Sequence, residues 1–297
     1  MAAARGPGFG LALAGFGTLV LTPDALFMRL SGMDGLPMTA WRGLFMGAVM
    51  LAAWALAARD RGGDLRRLVS GTGLMIVGCQ FLNTLLFCLG IAVAPVTVVL
   101  LGLATVPVCA ALLSRVLLNE PTAPATWAAI AAVLAGIGLA ISGGAEGAWV
   151  LEWRAALGAA LGLGVSVVVA LNFVVLRARP QLPILLLVGA GALLAGIFGV
   201  ALSGPAAMMA GQVWAMAATG MVVLPVAFFT LSLAARHTHA ANVSLLMLME
   251  TVLGPLWVWL GVGEAPTPRM VAGGVIVVGS LAVYLVVIRR CAPRRAQ

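Results

Sequence analysis

Ten runs of about 20 apolar residues follow one another along this chain with only short breaks between them. They lie near residues 8–28, 38–58, 69–90, 96–116, 125–143, 155–176, 183–203, 213–235, 241–262 and 270–288. Each is long enough to cross a bilayer as a helix, and no break is long enough to hold a separate folded domain. The chain is therefore expected to be an all-α polytopic membrane protein with ten transmembrane helices, its chemistry confined to the bilayer or its edges. Composition agrees: 63% of the 297 residues are hydrophobic and 9% are charged, whereas soluble domains are roughly a quarter charged. The net charge of +8 is too sparse to track a phosphate backbone, which excludes nucleic acid as a partner. The first run begins after Arg5 and could pass for a signal peptide. Its length, with Pro23 and Asp24 near its end, reads better as a retained helix.

All 17 basic residues are arginine, and their placement predicts orientation. With the N-terminus in the cytoplasm, thirteen fall on the cytoplasmic side, among them Arg59, Arg61, Arg66, Arg67, Arg115, Arg177, Arg179 and Arg236. The outer side keeps Arg29, Arg42, Arg154 and Arg269. Both termini are expected in the cytoplasm. Trp41, Trp127, Trp149, Trp153 and Trp214 fall near helix ends, as interfacial anchors do. The cysteines, Cys79, Cys88, Cys109 and Cys291, show no disulfide or metal-ligand spacing and read as packing residues and a tail thiol.

The chain also carries a faint internal repeat. VTVVLLGLATVPVCAALLSRVLLNEPTAP in the fourth and fifth runs aligns with ANVSLLMLMETVLGPLWVWLGVGEAPTP in the ninth and tenth. A shift of 144 residues puts Glu120 on Glu264 and Pro124 on Pro268, and Pro37 pairs with Pro183 at a shift of 146. The expectation is two five-helix repeats, 1–148 and 149–297. Five is odd, so the two enter the membrane from opposite sides. Inverted repeats of this kind are typical of alternating-access transporters.

Pro107 with Glu120, the Met249-Glu250 pair with Glu264, and Arg42 at the start of the second helix together resemble the EamA type of the drug/metabolite transporter superfamily. The resemblance covers essentially the whole chain. It implies a bacterial inner-membrane carrier of small metabolites, usually an exporter, with a central cavity lined mainly by helices three, four, eight and nine. Two positions depart from the family pattern. Thr251 stands where the family has a proline after the buried glutamate, with Pro255 one turn later. Gly15-Phe16-Gly17 stands where a tryptophan is usual.

Charges inside a bilayer are costly and mark function by default. Glu250 lies near the middle of helix nine. A carboxyl group there that gains and loses a proton as the cavity switches sides would couple transport to protons; the competing reading is a buried structural glutamate. Asp24 and Arg42 lie at similar depth near the outer end of helices one and two, as an ion pair or a gate, and Arg29 is the alternative partner. Under the structural reading, reversing both charges should restore folding. Gln80, Asn83, Thr84 and Phe87 share one face of helix three. Thr97 and Thr105 share a face of helix four, while Phe228, Phe229 and Ser232 surround Pro225 on helix eight. Asn242 and Glu250 lie on similar faces of helix nine, and Met249 enters through the resemblance. These residues are the expected substrate cavity. Interhelical hydrogen bonding is the alternative, and the resemblance favours the cavity. The pairs Gly43/Gly47 and Gly158/Gly162 allow close helix approach.

Three patterns carry nothing: the His237-Thr238-His239 turn as a metal site, Asn242-Val243-Ser244 as a glycan acceptor, and Gly136-Ile137-Gly138 as a phosphate loop. The function expected is a secondary transporter of amino-acid-like or amphipathic drug-like solutes, without metal, cofactor or enzymatic activity. Buried arginines or lysines for a sugar phosphate are missing at mid-depth. The alternatives are an integral-membrane enzyme acting on lipid and a non-transporting membrane partner protein. Import against export, and oligomeric state, are not encoded legibly.

Overall fold

The structure, a computed structural model, describes residues 7–118, 124–142, 152–237 and 240–291. Glu120, Trp149, Thr238 and His239, together with the side chains of Asn242, Cys291, Arg289 and Arg290, lie outside the described residues. Every apolar run is helical. In chain order the helices are α1 (Pro7–Leu21), α2 (Asp24–Ser31), α3 (Gly35–Ala57), α4 (Arg61–Leu68), α5 (Gly71–Val93), α6 (Val96–Leu103) and α7 (Val106–Leu118). They continue with α8 (Pro124–Ile141), α9 (Trp153–Ala178), α10 (Ile184–Met208), α11 (Val213–Ala217), α12 (Leu224–His237), α13 (Ala240–Val262) and α14 (Pro268–Cys291). Seven helical stretches among the described residues are long and apolar enough to cross a membrane. The other three runs lie on α8, α13 and α14, whose described apolar stretches are shorter.

The interruptions inside runs have local causes. Pro23 cannot donate a backbone hydrogen bond, so the first run breaks there and α2 restarts with Asp24 in its first turn. The fourth run breaks at Ala104–Thr105, and Pro107 falls in the first turn of α7, where its missing N–H costs nothing. In the eighth run a π-helical turn (Ala218–Val223) precedes Pro225 and absorbs the proline's clash with the preceding turn. Gly204, at φ 72°, and Pro205 kink the end of α10.

The loops gather at two ends. Residues 54–64, 180–185 and 229–236 surround one cavity and form the arginine-rich end. The opposite end joins the C-terminus of α2, the α5–α6 link and the α13–α14 link, and separately the end of α10 with the start of α11.

α3 and α10 pack closely, held together by glycine. A Cβ on Gly43 would lie 2.7 Å from Gly196 Cα, and one on Gly199 would lie 2.8 Å from Ala40 Cα. A Cβ on Gly102 would lie 2.9 Å from Gly162 C, so α6 and α9 are just as tightly apposed. In lipid, where apolar burial alone draws no two helices together, such backbone contact supplies the packing attraction. α5 packs on α9, α1 on α12, and α8 on α14.

Candidate functional site

Glu250 sits at the middle of α13 and is 3% exposed. Its side chain shares one cavity with Asp24 and Arg42. The sequence treats these as two separate candidates; the fold brings them together. Arg42 Nη1 donates to Asp24 Oδ1 and Oδ2 at 2.7 and 2.6 Å. The pair is buried, with Asp24 at 0% and Arg42 at 4% exposure. Arg42 also contacts Met28 Sδ at 3.0 Å, and its guanidinium carbon lies 5.2 Å from the centre of the Phe87 ring. Asp24 gains further support from the positive N-terminal end of α2. Glu250 is within electrostatic range of both partners, and its Oε2 is buried without a hydrogen-bond partner.

This cavity holds about 20 Å³, room for a single water. Leu21, Asn83, Phe87, Leu103, Val165, Val169, Phe228 and Met247 complete its wall. A second cavity of about 10 Å³ shares Asn83, Val169 and Phe228 with it and adds Cys79, Gln80, Asn172, Phe173 and Ser232. Here Gln80 Oε1 and Asn172 Oδ1 are buried without partners. The orientation of Gln80 follows from its neighbour. The Thr84 hydroxyl donates to the Gln80 carbonyl at 3.1 Å, so its oxygen is free to accept from Gln80 Nε2 at 3.3 Å. That leaves Oε1 unpaired.

Of the expected cavity residues, Gln80, Asn83, Phe87, Phe228 and Ser232 line these two spaces. Thr84 stands behind Gln80. Thr105 lies elsewhere, at the α6–α7 break; its hydroxyl donates to Gly102 O at 2.8 Å and lies within hydrogen-bond distance of Ser166 Oγ at 2.7 Å. Its hydroxyl joins α9 to the fourth run. Thr97 is half-buried near the start of α6, and Met249 is half-buried while its neighbour Met247 faces the cavity. Phe229 lines the cavity at the arginine-rich end instead. Asn242 lies outside the described side chains. Sequence reasoning missed the contribution of α9: Val165, Val169 and Asn172. Asn172, the single amide in its run, was the available signal.

Arg29 does not pair with Asp24. It forms an ion pair with Glu264 (Nε–Oε2 2.8 Å) and donates to Ala94 O at 2.7 Å. Glu264 Oε1 also accepts from Val96 N at 3.0 Å, at the start of α6. This clamp joins α2, the α5–α6 link and the α13–α14 link at the opposite end. His237 is exposed, and among the described residues no group of three or more His, Cys, Asp or Glu side chains converges as a metal site would require.

Comparison with known proteins fits this arrangement. No curated protein matches the chain. A solved structure described only as "Crystal structure of protein" superposes with a TM-score of 0.67 at 22% identity, covering 95% of this chain and 98% of its own. That likeness shows a shared fold. Residues 9–142 match the family model described as the EamA-like transporter family. Those residues, under half of the chain, are similar to the EamA-like transporter family of the drug/metabolite transporter superfamily, and the described helices long and apolar enough to cross a membrane fit a multi-pass membrane protein.

Proposed function

We propose that this chain is a secondary transporter, working as an exporter of small organic solutes by alternating access, with Glu250 as its proton-coupling group. The observation that carries the reading is the closed central site. Asp24, Arg42 and Glu250 meet in a cavity walled by Leu21 and Leu103, and three buried oxygens, Gln80 Oε1, Asn172 Oδ1 and Glu250 Oε2, have no donor. Unpaired acceptors in a dry interior are expensive. They favour a guest that brings N–H or O–H groups. With Arg42 matched by Asp24, an ionised Glu250 leaves the cluster one negative charge in excess, which favours an amino-acid-like or cationic amphipathic solute over an anion.

The reading includes ten spans in two inverted five-helix halves, in a bacterial inner membrane with both termini cytoplasmic. The packing supports it. Exchanging the halves sends α3/α10 and α8/α14 onto themselves, and it exchanges α5/α9 with α12/α1; all are packed pairs. Two-fold exchange is what allows one chain to present a central site to either side with similar energy. The Arg29–Glu264 clamp closes the opposite end, which on this reading is the outer one.

The test is proton-gradient-driven solute flux in reconstituted vesicles, wild type against Glu250→Gln. Loss of gradient-driven accumulation, with exchange of solute for solute retained, is expected. Full activity with unchanged pH dependence in Glu250→Gln would remove the coupling role.

A further inference from the structure

At the arginine-rich end a cavity of about 440 Å³ lies between α3, α10 and α12. Its walls are apolar: Ala57, Leu182, Ile184, Leu185, Phe229 and Leu233. Its charged side chains are Arg59, Arg236, Asp60 and Asp64. The two carboxylates are already engaged. Asp60 Oδ1 caps α4 by accepting from Gly63 N at 2.9 Å. Asp64 accepts from Trp54 Nε1 at 3.0 Å and pairs with Arg67 at 2.9 Å. The arginines are far less engaged. Arg236 donates through Nη2 to Leu182 O, and its Nε is buried without a partner. Arg59 has no carboxylate partner among the described residues. Arg61 and Arg66 on α4 and Arg179 before Pro180 add positive charge close to the cavity in the chain.

The surroundings of this rim are lipid-like. Leu56 at the end of α3, Leu65 on α4 and Val69 at the C-terminal cap of α4 are 89%, 48% and 70% exposed. A short helix with exposed Leu65 and Val69 on one side, and Arg66 and Arg67 turned away from them, suits the headgroup level of a membrane. An anion arriving there with its own apolar tail would satisfy both the guanidinium groups and the wall of Phe229 and Leu233. Free phosphate would satisfy only the former.

We propose that this cavity is a binding site for the headgroup of an anionic phospholipid, its phosphate held by Arg59 and Arg236 and its acyl chains lying against α12. Basic pockets between spanning helices near the membrane surface are suited to such headgroups. The site is separate from the central one and does not depend on the transport reading.

Thermal unfolding in neutral detergent tests it, with dioleoylphosphatidylglycerol, dioleoylphosphatidylcholine or inorganic phosphate added. Phosphatidylglycerol is expected to raise the midpoint, and the other two are not. Arg59→Gln, at an exposed position, should fold normally and need about fivefold more phosphatidylglycerol for the half-maximal rise, from the worth of one arginine near a charged lipid surface. Arg59→Gln/Arg236→Gln should lose the rise, and Arg115→Gln, outside the site, should keep it. An equal rise with phosphatidylcholine or phosphate, or an unchanged lipid requirement in Arg59→Gln, would overturn the proposal.

Discussion

Replacing Asp24 with Asn would leave the guanidinium of Arg42 in place with its partner neutralised. In the native structure Arg42 Nη1 touches both carboxylate oxygens at 2.6–2.7 Å, and neither side chain reaches solvent. The contacts with Met28 Sδ and the Phe87 ring persist in the variant, so they offset nothing. Breaking a buried ion pair from one side costs about 3–5 kcal/mol, because the surviving charge stays buried. Glu250 is the one other charge in range that can compensate. Asp24→Asn should therefore lie near the lower end of that span, and Asp24→Asn/Glu250→Gln should be clearly worse. Asp24→Leu/Arg42→Met removes both charges together and should recover most of the loss. The assay is unfolding in mixed micelles followed by far-UV circular dichroism. An Asp24→Asn variant within about 1 kcal/mol of wild type, or a double replacement as damaged as the single one, would refute the account of a desolvated pair.

The Arg29–Glu264 clamp is a quarter to a third exposed, so solvent screens it and it is worth at most about 1 kcal/mol. Arg29→Gln should raise opening of that end up to about fivefold, read as faster maleimide labelling of a cysteine placed at Leu21 in a cysteine-free background; an unchanged rate would show that the clamp gates nothing. Gly43→Leu drives a side chain into the backbone of Gly196 and should cost at least 1–3 kcal/mol, roughly the penalty of overpacking, seen as a lower unfolding midpoint. Ser166→Ala removes the hydroxyl partner of Thr105 and should cost only about 0.6 kcal/mol, the average worth of such a bond between spanning helices; a loss of solute flux without a loss of stability would move Thr105 from glue to site.

The helices were legible because apolar run length is a local property. Helix three's polar face pointed to the central cavity for the same reason: 3.6-residue periodicity places Gln80, Asn83 and Phe87 on one side without reference to any neighbour. The partnerships were legible only in part. Sequence depth offered Arg42 as the partner of Asp24, with Arg29 as the alternative. Only the tertiary structure assigns Arg42 to Asp24 and Arg29 to Glu264, which is 235 residues away in the chain. Thr105 and Ser232 look alike as hydroxyls in apolar runs, and only packing sends one to Ser166 and the other to the cavity wall.

By itself, then, the sequence determined a helical membrane protein with a few charges too costly to be idle. The tertiary structure decided that three of them, Asp24, Arg42 and Glu250, share one small cavity. The reason is physical: desolvation depends on the one residue being buried, whereas its compensation depends on which helix is brought against it.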